Sequence, residues 1–132
     1  TAWLPFTAVE QAGGALWWEY AAIRDLTDYS AAATRQLLTL SVPTGIVVVA
    51  RITLFQRFIT TGVYTWVQSP SYPNIAADDV NQDTQTGAAA TVSMNHKHVE
   101  TNTSGQIAHR MSIAGVSVLS IVTRGFIDPR IA

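Results

Sequence analysis

The chain has 132 residues, of which 48% are hydrophobic and only 13% are charged, with a formal net charge of −1 and no cysteine. This composition excludes disulfides and thiolate-bound zinc, and the scattered arginines form no basic stripe that could neutralise phosphates. The longest apolar run, residues 46–50, is far shorter than the ~20 residues of a membrane-spanning helix. We therefore expect neither a nucleic-acid partner nor a membrane partner.

The low number of charges is the feature of this composition that bears most on function. A folded chain of this length exposes roughly 6,800 Å² of surface. Eight basic and nine acidic residues then leave about one charge per 400 Å², half the density of an average composition. Large exposed apolar patches usually mark contact sites. The composition favours a protein that assembles with neighbours, although small β-sandwiches rich in Thr and Ser also carry few charges.

The first residues are predicted to form an extended N-terminal arm, residues 1–14, ahead of a single domain over residues 15–132. Pro5 lacks a backbone donor and disfavours a helical conformation at Leu4. Trp3 and Phe6 are either lids over the core or anchors for a neighbouring subunit. Residues 15–23, with Trp17 and Trp18, fit a strand or a helix, and we favour the strand because aromatic residues suit a pleated surface.

From residue 34 onward the apolar residues alternate as they do in β-strands. Residues 36–42 are predicted to form one strand, which ends at a Pro-Thr-Gly turn. Residues 46–58 are predicted to form a second strand with one wholly apolar face, and residues 63–68 a third. Residues 71–87 are predicted to be a long polar loop.

The second half of the chain repeats this pattern. Residues 88–101, 106–113 and 116–123 are predicted strands, and a short last piece, residues 126–129, follows Gly125. Five or six short strands separated by turns predict an all-β fold. We expect an antiparallel β-sandwich of the jelly-roll type.

Two polar segments are weak candidates for metal binding. His96 and His98 share one face of a strand, so three copies on a three-fold axis could surround a transition metal with six nitrogens. Paired polar residues on a strand more often face solvent or an interface. The acidic segment 78–83 alternates oxygen ligands, but Thr84 and Ala90 stand where a calcium loop needs Gly and Glu. We predict no metal and a solvated acidic loop.

Catalytic signatures are not found in the sequence. It contains no Gly-x-Ser-x-Gly elbow, no phosphate loop and no His-Glu-x-x-His helix. His109 alternates with Ile107 and Met111, which predicts a hydrogen-bonded residue at the edge of the core. Glu100 is the first carboxylate to test if an activity were found. We expect a protein that is not an enzyme and that needs no cofactor.

Sugar binding is a stronger alternative than catalysis. Exposed aromatic side chains can stack on the apolar face of a sugar ring, and many β-sandwiches place such groups on one sheet or on end loops. The residues considered for this role are Trp17, Tyr64, Trp66 and Tyr72. The same four residues are more often part of a core or an interface, so both interpretations stay open.

Three segments resemble small β-sandwich virion proteins of tailed bacteriophages. Residues 103–112 (TSGQIAHRMS) and 119–130 (LSIVTRGFIDPR) look like the closing strands of such proteins, and residues 38–45 (LTLSVPTG) are similar to an earlier part of the same pattern. The segments cover about a third of the chain. The resemblance implies a capsid cement or decoration protein, located on the capsid surface of the virion, or alternatively a fibre or tail knob that binds a host receptor glycan.

Composition and resemblance lead to the same expectation. Cement proteins tie neighbouring capsomers together by burying apolar and hydroxylated surface, and an interface of standard size takes about 800 Å² from each partner. We therefore expect a structural virion component whose partners are other copies of itself, in a homodimer or homotrimer, and the major capsid protein. The residues predicted to contact these partners are Trp3, Phe6, Trp17 and Trp18.

Overall fold

The fold is all-β, as predicted. A computed structural model describes residues 6–10, 16–29, 33–58, 63–78, 80–85, 92–113 and 117–129. These residues form nine strands: β1 (Phe6–Glu10), β2 (Leu16–Tyr29), β3 (Gln36–Thr39), β4 (Val49–Phe58), β5 (Tyr64–Gln68), β6 (Thr84–Gln85), β7 (Val92–Glu100), β8 (Gln106–Met111) and β9 (Ser117–Ile127). Within the described ranges there is no helix long and apolar enough to span a membrane.

The strands form two antiparallel sheets. The five-stranded sheet has the order β1-β2-β9-β4-β7, and the four-stranded sheet has the order β3-β8-β5-β6. The pairing is nested, because β2 pairs with β9, β3 with β8, β4 with β7, and β5 with β6. Every connection from β2 to β9 except the one between β5 and β6 therefore passes from one sheet to the other. The predicted antiparallel β-sandwich is confirmed.

The hydrophobic core lies between the two sheets. Its largest fully buried apolar side chains are Ile52 and Leu54 of β4, Ile107 and Met111 of β8, and Leu119 and Ile121 of β9. These residues are two apart in β4 and four apart in β8, so each strand turns one face to the core. The alternation read from residues 46–58 is therefore correct, and that read from residues 106–113 is correct as far as Met111, because Ile113 lies beyond β8 and is exposed.

A buried polar bridge also joins the sheets. Gln56 of β4 is fully buried, and its Nε2 donates to the backbone oxygen of Val63 at 3.3 Å. Its Oε1 accepts a hydrogen bond from Thr84 Oγ1 at 2.6 Å. Because buried polar atoms without partners are costly, this bridge favours a single arrangement of β4 against β5 and β6.

β3 ends at Thr39, before the predicted end at residue 42, because Asp25 binds the segment that follows. Asp25 of β2 accepts hydrogen bonds from Ser41 N at 2.8 Å and from Ser41 Oγ at 2.6 Å. The same carboxylate accepts a hydrogen bond from Thr123 Oγ1 of β9. Ser41 is thereby held against the five-stranded sheet instead of continuing the ladder with β8.

The prediction of a loop over 71–87 is also wrong in part, since β6 lies within it.

The predicted break at Gly125 is wrong, because β9 continues through it to Ile127. A β-carbon at Gly125 would lie 2.2 Å from the backbone oxygen of Trp18 in β2. The register between β4 and β9 shifts beside it, between Arg51 and Ile52. The glycine permits a close approach of two backbones at a bulge, so it belongs inside a strand and not in a turn.

The N-terminal segment contains a paired strand. β1 is an edge strand of the five-stranded sheet, with Phe6 opposite Tyr20 and Glu10 opposite Leu16 in β2. The rest of the predicted arm, residues 1–5 and 11–14, lies outside the described residues. The strand interpretation of residues 15–23 is confirmed, because β2 covers residues 16–29 without a helical turn.

Candidate functional site

The first candidate site is the surface of the five-stranded sheet that points away from the core, which we call the outer face. At one end it is apolar, because Val92 and Met94 of β7 are 58% and 57% exposed and lie beside the half-buried Phe55 of β4. A shallow depression of about 200 Å³ at this end is lined by Arg24, Phe55, Arg57, Val92, Val118 and Ser120. Exposed apolar side chains that adjoin one another mark a contact surface.

The other end of the outer face is polar and carries the two histidines. His96 and His98 are both exposed and lie opposite Thr53 and Arg51 of β4, so they share a face as predicted. Thr53 Oγ1 lies 2.9 Å from His96 Nδ1 and accepts a hydrogen bond from Arg124 Nε at 2.7 Å. Burial, followed by the positive charge of Arg51, lowers the pKa of His98.

The two candidate metal segments take part in other interactions. Arg124 binds the same Thr53 hydroxyl that contacts His96, so its positive charge disfavours a cation there, and Arg51, opposite His98, is paired with the carboxylate of Glu19. Asp78 accepts hydrogen bonds from the backbone nitrogens of Asn81 and Val80, at 2.7 and 2.9 Å, and these bonds lower the pKa of its carboxyl. Among the described residues, no three His, Cys, Asp or Glu side chains are grouped so that they could hold a metal ion.

The second candidate site is a groove of about 420 Å³ at the open edge of the sandwich between β5 and β7, which we call the groove. Its volume falls within the ~300–1,000 Å³ of small-molecule sites. Two of the aromatic residues considered for sugar binding, Trp66 and Tyr72, are brought together in it, whereas Tyr64 does not line it. The lining residues are Trp66, Gln68, Ser69, Ser71, Tyr72, Lys97, His98, Val99 and Glu100.

The groove exists because β6 pairs with β5 at only two residues, Tyr64 and Thr65. Beyond these two residues, side chains instead of a neighbouring strand bind the backbone groups at the edge of β5. Val67 N donates to Asp83 Oδ2 at 2.6 Å, and Lys97 Nζ donates to the backbone oxygen of Val67. Lys97 Nζ also lies 2.8 and 2.9 Å from the two carboxylate oxygens of Asp83. The two side chains thereby satisfy the backbone N–H and C=O of Val67 at the edge of β5, and the space beside them stays open as the groove.

One wall of the groove is held by hydrogen bonds within the protein. Arg35 donates to the backbone oxygens of Tyr72 at 3.0 Å and of Ser69 at 3.2 Å. Tyr72 N donates to the oxygen of Ser69 at 3.1 Å, and Gln68 Nε2 donates to the oxygen of Pro73 at 3.2 Å. The turn that carries the Tyr72 ring is therefore formed without a ligand.

Three of the four residues predicted to contact partners belong to the described part of the chain, and these three lie on neighbouring strands. Trp3 lies outside the described residues. Phe6 is in β1, and Trp17 and Trp18 are in β2, so three of the four lie on paired strands at the β1 edge of the five-stranded sheet. The Trp18 ring is half-buried and stacks on Phe126 of β9, with ring centroids 6.4 Å apart. The contact role of these residues stays a prediction.

His109 of β8 lies in the core, between Ile107 and Met111 along the strand, and is 2% exposed. Burial disfavours the charged imidazolium and lowers the pKa of His109 to about 4. The placement is deeper than the edge position expected from the sequence. It favours a structural role for this histidine and makes it sensitive to acid.

We expect acid to destabilise the fold through His109. The pKa of this histidine is about 6.5 in the unfolded chain, so between about pH 6.5 and pH 4 the unfolded chain binds a proton that the folded chain does not. Above about pH 6.5 the histidine is neutral in both states, and the protein has its full free energy of unfolding. The free energy of unfolding then decreases as the pH falls from about 6.5 to about 4, by up to ~3 kcal/mol from this residue. Urea unfolding at several pH values should show a steeper decrease for the natural chain than for His109→Gln. Equal slopes in the two proteins would contradict the assignment.

Sequence reasoning missed the ion pair of Lys97 and Asp83, although a signal for it was present. Lys97 is the only lysine of the chain, and alternation with His96 and His98 turns it toward the opposite face of β7, next to the buried Val99. An inward-facing charge predicts a buried partner. The buried Gln68 had no comparable signal, because its burial depends on the loop after β5.

Comparison with known proteins does not assign the chain to a family, since no family model matches it and no curated protein matches it significantly.

Proposed function

We propose that this protein is a structural virion component, a capsid cement or decoration protein that self-associates and bridges neighbouring capsomers on a phage head. The outer face is the observation that carries the proposal. Val92 and Met94 are each more than half exposed and adjoin Phe55 and Val118 on a surface formed by regular strands. A rigid apolar surface of this kind is suited to burial against another protein.

The order of the strands supports the same proposal. We infer that the nested pairing of β2 to β9 is that of a jelly roll, in which eight antiparallel strands form two facing sheets. Jelly rolls are frequent among viral capsid domains, which agrees with the resemblance of residues 103–112 and 119–130 to phage virion proteins. Fold alone does not determine function, so this support is secondary to the outer face.

The apolar end of the outer face is suited to a second copy of the chain. A two-fold axis that lies in the interface, is perpendicular to β4 and passes through this end places Phe55, Val92 and Met94 of one copy against the same residues of the next. Apolar surface then meets apolar surface in both copies, as a symmetric dimer requires.

The capsid contact is proposed for the opposite edge of the same sheet. β1 and β7 are separated by four strand spacings, which is about 19 Å. Phe6, Trp17 and Trp18 belong to strands on the β1 side, so self-association near β7 leaves that edge of the sheet available to the major capsid protein. Two separate contact regions are what a protein needs in order to bridge capsomers.

We expect the double substitution Val92→Ser, Met94→Ser to weaken self-association at least tenfold, because each apolar side chain contributes about 1.5–3 kcal/mol when it is buried. The measurement is sedimentation velocity over a concentration series. Val80→Ser is the matched control, since Val80 is 81% exposed and lies on a loop away from the outer face. A monomer at all concentrations, or equal effects of both variants, would contradict self-association through this face.

The location in the virion separates the cement proposal from its alternative. Antibodies raised against the chain should label phage heads in electron micrographs if it is a cement protein. Labelling confined to tails or fibres would favour a receptor-binding knob.

A further inference from the structure

We propose that the groove between β5 and β7 is a carbohydrate-binding site for a neutral sugar ring. The groove adjoins the polar end of the outer face and shares His98 and Glu100 with it. It lies away from the apolar end, so the binding of a sugar does not depend on the proposed role in the capsid. The aromatic side chains, the hydrogen-bonding groups and the charges that line the groove all favour such a ligand.

The aromatic side chains offer apolar surface for the faces of a ring. Trp66 of β5 is half-buried in the groove, and Tyr72 is 63% exposed on the turn that forms its wall. Sugars present flat patches of C–H groups, which pack on the electron-rich faces of such rings. Because Arg35 and Ser69 hold the turn through hydrogen bonds, the Tyr72 wall needs little ordering on binding.

A buried acceptor in the groove requires a donor. Gln68 lines the groove and is only 4% exposed, and its Oε1 receives no hydrogen bond from any residue that the structure describes. Its Nε2 donates to the backbone oxygen of Pro73, which fixes the orientation of the amide. This oxygen has almost no accessible surface, so a ligand hydroxyl can satisfy it only if the groove opens slightly on binding, and until then the acceptor costs free energy.

The charges of the groove select a neutral ligand that is rich in donors. The Lys97 ammonium is paired with the Asp83 carboxylate, and Glu100 adds an exposed carboxylate at the rim. An anionic ligand would approach these carboxylates unfavourably. Amide and carboxylate oxygens next to aromatic rings match the hydroxyls and C–H faces of a pyranose, so a neutral hexose or 6-deoxyhexose is the class of ligand we assign.

The test is a titration of the full chain with methyl glycosides of glucose, galactose, mannose, rhamnose and N-acetylglucosamine, followed through the indole N–H signal of Trp66 in NMR spectra. A Trp66→Phe variant assigns that signal. We expect at least one glycoside to shift it with a Kd on the order of 1 mM. Tyr72→Ala should weaken that binding about tenfold, because it removes the aromatic surface that packs on the sugar ring. Glu100→Gln should weaken it about threefold, because it removes a charged acceptor for a sugar hydroxyl.

Tyr64→Ala is the matched control, because Tyr64 is an aromatic residue of the same strand as Trp66 but does not line the groove. It should leave the affinity unchanged within about twofold, which is below the effect of one lost contact. Tyr72 and Glu100 are exposed, so their variants are expected to fold, and circular dichroism checks this. The assignment is overturned if no glycoside shifts the Trp66 signal at about 10 mM, if Tyr64→Ala and Tyr72→Ala have equal effects, or if only N-acetylneuraminic acid binds.

Discussion

Gly125→Ala should destabilise the protein by more than about 3 kcal/mol, the largest effect we expect from a single methyl group in this chain. The added β-carbon would lie 2.2 Å from the backbone oxygen of Trp18 and 3.2 Å from the α-carbon of Glu19. All the atoms it meets belong to the backbone, so no side-chain rotation can relieve the overlap. β2 and β9 would have to separate near the middle of the five-stranded sheet.

Gly45→Ala provides the control for this prediction. Gly45 has a φ of 85°, but a β-carbon there would meet nothing within 4 Å. Its replacement should cost only about 1 kcal/mol, which is the strain of a left-handed conformation in a residue with a side chain. Urea unfolding followed by circular dichroism compares the two variants. If Gly125→Ala proved as stable as Gly45→Ala, the close approach of β2 and β9 would be disproved.

Lys97→Met should destabilise the protein by about 3 kcal/mol, because it leaves the carboxylate of Asp83 without its counter-ion. The Asp83 side chain is only 11% exposed, and that of Lys97 is 24% exposed. The substitution also removes the donor to the backbone oxygen of Val67. The methylene stem of the lysine is largely preserved in methionine, so the loss is mainly electrostatic.

The double variant Lys97→Met, Asp83→Asn distinguishes an unpaired charge from lost packing. Asparagine keeps an oxygen that can accept from Val67 N but carries no charge. We expect the double variant to be more stable than Lys97→Met alone by at least about 1 kcal/mol, since the uncompensated charge is gone. Additive losses in denaturant unfolding would show that the ion pair does not matter.

The sandwich class could be predicted from the sequence because apolar residues in most strands repeat with a period of two. Residues 46–58 and 106–113 have this period, and the structure buries the expected faces of β4 and β8. Strand ends were predicted less well, since they depend on distant groups. Asp25 ends β3, although it lies 16 positions before Ser41 in the sequence. The backbone of Trp18, which is far from Gly125 in the sequence, leaves no room for a side chain at that position of β9.

The groove could be predicted only in part. Trp66 and Tyr72 were recognised as aromatic residues that could contact a sugar, but no local pattern places them next to Glu100 and Gln68. That proximity comes from the short pairing of β6 with β5, which leaves a gap that Lys97 and Asp83 fill on one side. The gap forms because β5 and β6 pair at only two residues, and the periodicity of apolar residues in the sequence does not show where a strand pairing stops.

The nested pairing of the strands has a consequence for the order of events during synthesis. β9 follows all the other described strands in the chain, yet it occupies the middle of the five-stranded sheet, between β2 and β4. Until β9 leaves the ribosome, β2 and β4 have no common neighbour, and both keep unsatisfied edges that can pair with other nascent chains. The five-stranded sheet can therefore be completed only after β9 has been synthesised, and folding should be comparatively slow, as expected for a topology dominated by contacts between distant parts of the chain.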